Sequence, residues 1–311
     1  MEIKFYFVLL YYKKYNIKLM PYKNITWQED VHYHNNYDNA RTRLSGVLSI
    51  TTGKAGDTEP ITVHASLQGT LVTVPLIDGT LGKMVADTDN KKGWFKDLVK
   101  VTMKLTDQHG QIYLPLSRIQ SSPGTVNASG SITSSVTVSF GGSASGGFFG
   151  PAPTGNVGIS GSTSNTNSFS ETLNDFIVTE AADRSIVSHT YKMEKLANGA
   201  PYERPFDLLP DPTKVLAFNA FDPIKLNNPP PLAINSLPLL DQAYWQAGDN
   251  RLISEHVKIE ITVETHIAWV EVAGTAKFPQ NQNAWTWVGT HRHSVPLELD
   301  KLKQSTHSAP L

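Results

Sequence analysis

Residues Ile119 to Ser170 read IQSSPGTVNASGSITSSVTVSFGGSASGGFFGPAPTGNVGISGSTSNTNSFS. Arg118 and Glu171 bound this stretch, and no charged residue lies between them. At average usage a segment of this length carries about a dozen charges. Within it, Ile132, Val136, Val138, Phe140, Ala144 and Phe148 share one parity, spaced by Ser134, Gly142 and Gly146. Thr133, Ser135, Thr137, Ser139, Ser143 and Ser145 take the other. Turn formers Gly147, Gly150, Pro151 and Pro153 then surround Phe148-Phe149. On the return, Val157 and Ile159 alternate with Asn156, Gly158, Ser160 and Ser162.

Alternation with period two is the signature of a strand with unlike faces. The pattern predicts a hairpin with one weakly apolar face and one face of small polar side chains. Each leg reaches the ~9–11 residues that a strand needs to cross a bilayer. Lipid offers no partner to backbone groups, so a lone hairpin cannot insert and several copies must close into a barrel. A Ser/Gly-rich flexible linker shares this composition. It has no need to keep Val, Ile and Phe in register on both sides of a turn.

Strand signals extend outward on both sides. Val99, Val101, Met103 and Leu105 alternate with Lys100, Thr102, Lys104 and Thr106, and His256 to Thr265 repeats the pattern. Leu44 to Ile50, Ile61 to Leu67 and Leu71 to Ile77 read the same way. Long amphipathic helices are missing, so the fold class is all-β. Charged residues make up 18% and hydrophobic ones 40%. Ser, Thr, Asn, Gly and Pro supply the balance, as suits strands joined by turns.

Several function classes fall away. A formal net charge of -1 leaves no global basic field for nucleic acid. The absence of cysteine removes disulfides, thiolate metal sites and a cysteine nucleophile. There is no G-x-S-x-G, P-loop, H-E-x-x-H or dinucleotide fingerprint. Asp207, Asp211 and Asp222 lie in loop-like sequence with nothing to pair them for acid/base work. We therefore expect no enzyme, no cofactor and no metal. Two His pairs, His32/His34 and His291/His293, could ligate zinc only if they met in space, and otherwise read as surface histidines. Phe5 to Tyr12 is apolar but short and runs into Lys13-Lys14, so residues 1–23 read as a leader or a weak export signal.

Residues 200–245 are rich in proline, including Pro201, Pro205, Pro210, Pro212, Pro223 and Pro229 to Pro231. Proline opposes regular ladders, which predicts a loop-built lobe. Its aromatics Tyr202, Phe206, Phe218, Phe221, Tyr244 and Trp245 suit a membrane interface, and Arg204 suits a phosphate.

At this point the chain resembles the leukocidin/α-hemolysin family of β-barrel pore-forming toxins. Several local patterns occur in that family's order. Gly93-Trp94-Phe95-Lys96-Asp97-Leu98-Val99 looks like its Trp-containing strand before the stem, and Tyr113-Leu114-Pro115 like the stem entry. Asn174-Asp175-Phe176 looks like the stem-closing turn, and Gly199-Ala200-Pro201-Tyr202-Glu203-Arg204 like the start of the rim. Ser236-Leu237-Pro238-Leu239-Leu240 with Tyr244-Trp245 looks like the Leu-Pro turn, and Trp285 to Leu299 like the last strand region. The chain departs from the pattern at Pro205-Phe206-Asp207, where the family has a Trp and a longer aromatic loop.

The resemblance implies a leukocidin-like β-sandwich cap with a rim lobe and a pre-stem/stem β-hairpin. The expected division is 24–118 first part of the cap, 119–175 stem, 176–199 cap strand, 200–245 rim and 246–311 last part of the cap. It also implies a secreted monomer that meets lipid headgroups through the rim and forms a homo-oligomeric ring of seven or eight subunits. The lipid-facing stem set is then Ile132, Val136, Val138, Phe140, Ala144, Phe148, Val157 and Ile159. The lumen-facing set is Ser135, Thr137, Ser139, Ser143, Ser145, Asn156, Ser160 and Ser162. Two alternatives remain open: one component of a two-part toxin, and a non-lytic lectin- or adhesin-like sandwich.

Overall fold

The structure, a computed structural model, describes residues 22–32, 41–51, 60–75, 85–86, 90–125, 131–141, 162–172, 175–208, 228–248, 256–275 and 278–297. The alternating segments become antiparallel strands. In β6 (Asn90–Thr106), Val99, Val101, Met103 and Leu105 are fully buried while Lys100 is exposed. In β14 (Lys258–Thr275), Ile259, Ile261 and Val263 are buried, and Val257 just before it is buried too. Each such apolar side chain removed from water contributes about 1.5–3 kcal/mol. Thr106 departs from the pattern and is buried. The chain folds back over it, with a bridge from Thr106 to Ile112 and a hydrogen bond from the Tyr113 N–H to the Leu105 carbonyl.

Two sheets form a sandwich. The first contains β1 (Tyr22–His32), β2 (Arg41–Thr51), β3 (Thr62–Ser66), β4 (Thr70–Val72), β7 (Leu116–Ser122), β12 (Leu237–Leu239) and β13 (Gln242–Ala247). Its order is β12-β4-β2-β3-β13-β7, with β1 on the side of β2. The second contains β5 (Val85–Ala86), β6, β10 (Phe176–Ala182), β11 (Ile186–Met193), β14 and β15 (Phe278–Pro296). Its order is β10-β11-β6-β14-β15, with β5 on β6. Leu44, Leu48, Ile50, Val63 and Trp245 of the first sheet share one core with Phe95, Val101, Met103, Tyr191 and Ile261 of the second.

One polar group crosses that core. Asp241, wholly buried before β13, accepts hydrogen bonds from His189 Nδ1 at 2.7 Å and from the Tyr191 hydroxyl at 3.1 Å. Both donors stand on β11 of the opposite sheet. Burial, with the Asp241 carboxylate beside it, pushes the Tyr191 hydroxyl far above its ordinary range.

Three expectations need correction. The cap ladder does not stop at Arg118: β7 pairs with β13 as far as Ser122, so the first residues of the expected stem are cap. The stretch 200–245 is not loop throughout, because β12 and most of β13 fall in it. Among the described residues Pro205 opens a 3-10 turn and Pro231 a one-turn helix, and Pro238 is tolerated because β12 is an edge strand. Of Leu71 to Ile77, the described residues 71–75 hold only the end of the short β4.

Candidate functional site

A third, two-stranded sheet stands apart from the sandwich in pairing. It consists of β8 (Ser131–Gly141) and β9 (Ser162–Thr172), the two legs of the uncharged segment. The ladder runs without a slip from Ser131↔Thr172 through Val136↔Asn167 and Val138↔Asn165 to Gly141↔Ser162. Directly opposed residues of an antiparallel pair share a face. Ile132, Val136, Val138 and Phe140 are thus opposed by Glu171, Asn167, Asn165 and Thr163, whereas Ser135, Thr137 and Ser139 are opposed by Ser168, Thr166 and Ser164. Over the described length the apolar parity is therefore carried mainly by β8, with Phe169, opposite Ser134, its apolar member on β9. Ala144, Phe148, Val157, Ile159, Ser143, Ser145, Asn156 and Ser160 lie outside the described residues, as does the turn.

β8 approaches β7 and β13, so the hairpin leaves the sandwich beside these strands. Its root is tied to β10, an edge strand of the other sheet. The Ser121 hydroxyl donates to Glu180 Oε1, Arg118 Nη1 donates to Ser121 Oγ at 3.0 Å, and Arg118 Nη1 lies 3.8 Å from Glu180 Oε1. The Glu180 N–H donates to Thr125 Oγ1 at 3.2 Å, beyond the last residue of β7. The other leg rejoins the sandwich through Asp175, whose φ of 69° is left-handed. Aspartate tolerates that region better than most residues. The Asp175 carbonyl accepts the N–H groups of Glu194 and Lys195, closing the turn.

The expected rim residues divide sharply. Trp245 is fully buried, and Tyr244 and Tyr202 are each 4% exposed. These three correct the expectation of lipid contact. Tyr244 and Trp245 stand in β13 between β3 and β7, where the cap claims both faces. The Tyr202 hydroxyl donates to Asp97 Oδ2 at 2.8 Å and its ring meets Phe95 edge-on. Burial raises both the Asp97 carboxyl and the Tyr202 hydroxyl above their ordinary values. Arg204 is different: its side chain is 74% exposed, with Nε 3.7 Å from Asp207 Oδ1. Asp207 Oδ2 holds this turn by accepting the N–H groups of Glu203 and Arg204. Phe206 lies in the 3-10 turn Pro205–Leu208, and Phe218 and Phe221 lie outside the described residues.

Two features escaped the sequence reading. Lys96, noted in the sequence only as part of the Trp-containing strand, is fully buried. Its Nζ donates to the carbonyls of Asn235 and Ala233, which end the one-turn helix α1 (Pro231–Ile234). Burial lowers its pKa from 10.5 to about 7. Between those values the unfolded chain holds a proton that the folded chain has lost. Stability should therefore rise with pH from about 7 towards 10.5. Urea unfolding across that window should show the rise in the wild type and a flatter profile in Lys96→Met.

The second feature is a convergence of His291 and His293 on Glu29, a residue of β1. They are not free surface histidines, because Glu29 carries them into an inter-sheet contact. Among the described residues no group of three or more His, Asp or Glu is placed to hold a metal ion. No described helix is long and apolar enough to cross a membrane.

No protein-family profile and no curated protein sequence matches the chain. Solved structures do. The chain is similar to the Clostridium perfringens delta-toxin, with 12% identity, a TM-score of 0.52, and coverage of 90% of this chain and 91% of that one. A membrane-inserted form of the Clostridium perfringens NetB toxin covers 90% and 98% at 10% identity and a TM-score of 0.48. A structure described as a pore forming protein covers 90% and 92%, also at 10% identity and 0.48. Two antiparallel sheets around one core, a separate hairpin between β7 and β10, and this match along nine-tenths of the chain agree on one architecture: the leukocidin-like β-sandwich fold, as in delta-toxin.

Proposed function

We propose that this chain is a secreted pore-forming cytolysin that binds a membrane, assembles into a ring of copies and inserts the 126–174 hairpin to build a transmembrane β-barrel. The observation that carries this reading is the hairpin itself: free of charge from Ile119 to Ser170, with Glu171 at its root, in register over the whole of β8 and β9, and in a sheet of its own. The fold shared with a toxin supports it.

The pairing refines which part would cross lipid. Asn165 and Asn167 oppose Val138 and Val136, so the described end of the ribbon suits the wet collar of a barrel. The bilayer crossing then falls on the turn-ward parts of the legs, with Phe140, Ala144, Phe148, Val157 and Ile159 towards lipid and Ser143, Ser145, Asn156 and Ser160 towards the lumen. Val136 and Val138 stay on the outer face above the bilayer. For the first membrane contact we assign Arg204 and the lobe around Phe206, Phe218 and Phe221, with phosphate-bearing headgroups as the ligand. A ring of seven or eight copies is the expected assembly.

The chain has no cysteine, so an introduced pair gives a single defined cross-link. Thr125→Cys with Glu180→Cys should tie the hairpin root to β10, where the two residues already bond. Dye release from phosphatidylcholine vesicles should vanish in the oxidised protein and return on reduction. Leakage from the oxidised form would sink the insertion step. Leakage by the reduced protein only after a second polypeptide is added would identify a two-part toxin. No leakage in either state, with the hairpin cut quickly by protease, would favour the non-lytic sandwich.

A further inference from the structure

The first and last strands meet across the open side of the sandwich. β1 is an edge of the first sheet and β15 an edge of the second. On β1, Ile25, Trp27 and Glu29 are half-buried while Thr26, Gln28 and Asp30 are exposed, so one face turns inward. On β15, His291 and His293 pair with Val263 and Ile261, both buried in the core. The two inward faces touch. His293 Nδ1 lies 2.6 Å from Glu29 Oε2, and His291 Nε2 lies 3.5 Å from the same oxygen. The Trp27 ring stacks on His293 at 6.2 Å between centroids and 21° between planes. Trp27 can lie flat here because its strand neighbour is Gly46: a Cβ at that position would come within 2.6 Å of its ring.

We propose that Glu29, His291 and His293 form an acid-opened clasp that holds β1 against β15 at neutral pH and lets the two edges part in mild acid. This inference stands on its own geometry and not on the pore reading. One carboxylate oxygen serves two imidazoles. The one Glu29 carboxylate can offset the charge of a single imidazolium. An imidazolium at each ring would leave one positive charge without a counterion in a space where Glu29 Oε2 and His291 Nε2 are buried.

Among the described residues the neighbouring charges are engaged elsewhere. Asp30 is engaged with Arg43 on the outer face of the first sheet. Glu260 holds Lys104 and Arg292 on the outer face of the second. The residues paired with Glu29, His291 and His293 are Leu44, Val263 and Ile261, all apolar. Consistently, the His291 pKa is lowered from 6.5, chiefly by burial, with Glu29 opposing and His293 adding to the shift. The sign follows: the closed form prefers neutral His291, so its advantage is complete above 6.5 and fades as pH falls through the lowered value.

Hydrogen exchange on the full chain, corrected for the intrinsic effect of pH, tests this strand by strand. Between about pH 7.5 and about pH 5.5, amides of Tyr22–His32 should lose protection roughly tenfold while those of β14 keep theirs. His291→Gln should flatten the response, and Glu29→Gln should move the loss to higher pH by removing the carboxylate that both rings face. If His291→Gln does not fold, the wild-type profile and Glu29→Gln still decide the matter. Protection of β1 that is indifferent to pH in the wild type would overturn the clasp. So would an unchanged loss in His291→Gln, or a parallel loss in β14.

Discussion

Replacing Ile159 by lysine is expected to abolish membrane leakage while the protein still folds and binds vesicles. In the proposed barrel Ile159 faces lipid, and a lysine at the bilayer midplane of a β-barrel costs about 2–4 kcal/mol per copy. Every subunit contributes one such residue, so the penalty multiplies around the ring. Ser160→Lys is the control. It changes the neighbouring residue, adds the same charge, and points it into the lumen, where the pore should survive with weaker cation passage. Calcein release and single-channel conductance read the two variants. Equal loss of leakage in both, or equal tolerance in both, would refute the alternation on which the membrane hairpin rests.

The largest loss of stability should come from Asp241→Ala. The substitution leaves His189 and the Tyr191 hydroxyl in the core without the acceptor that both use. Removing one member of a buried charged hydrogen-bonded pair typically costs about 3–5 kcal/mol. Urea unfolding should show the midpoint fall with little change in slope. Because Asp241 belongs to one sheet's connection and its donors to the other, the loss should appear in both sheets together. A change under about 1 kcal/mol would mean that the pair serves specificity rather than stability.

The sandwich was legible because its signal is local. Val99 to Leu105 and Val257 to Val263 carry the two-residue period in the residues themselves, and burial follows it. The uncharged hairpin was legible for the same reason. The membrane lobe was not, because aromatic composition says nothing about which sheet claims a side chain. Tyr202, Tyr244 and Trp245 look alike in sequence to any interfacial aromatic, and pairing with β3 and β7 decides the fate of the last two. Lys96 and Asp241 were invisible because their partners, Asn235 and His189, come from distant parts of the chain. The His291/His293 pair was noticed, but its partner was not: Glu29 reaches it only because β1 and β15 are the edges of different sheets.

The ladder between β8 and β9 carries one more consequence. In the proposed pore, a hairpin whose described legs already share their hydrogen bonds would reach the membrane with that length of stave paired and one open seam on each side. Over that length insertion would only have to join seams between neighbours. A wall raised from such staves contains two strands for every subunit, and its circumference grows in steps of two. A single missing copy leaves two raw edges in lipid, so an incomplete ring should stay on the surface rather than leak.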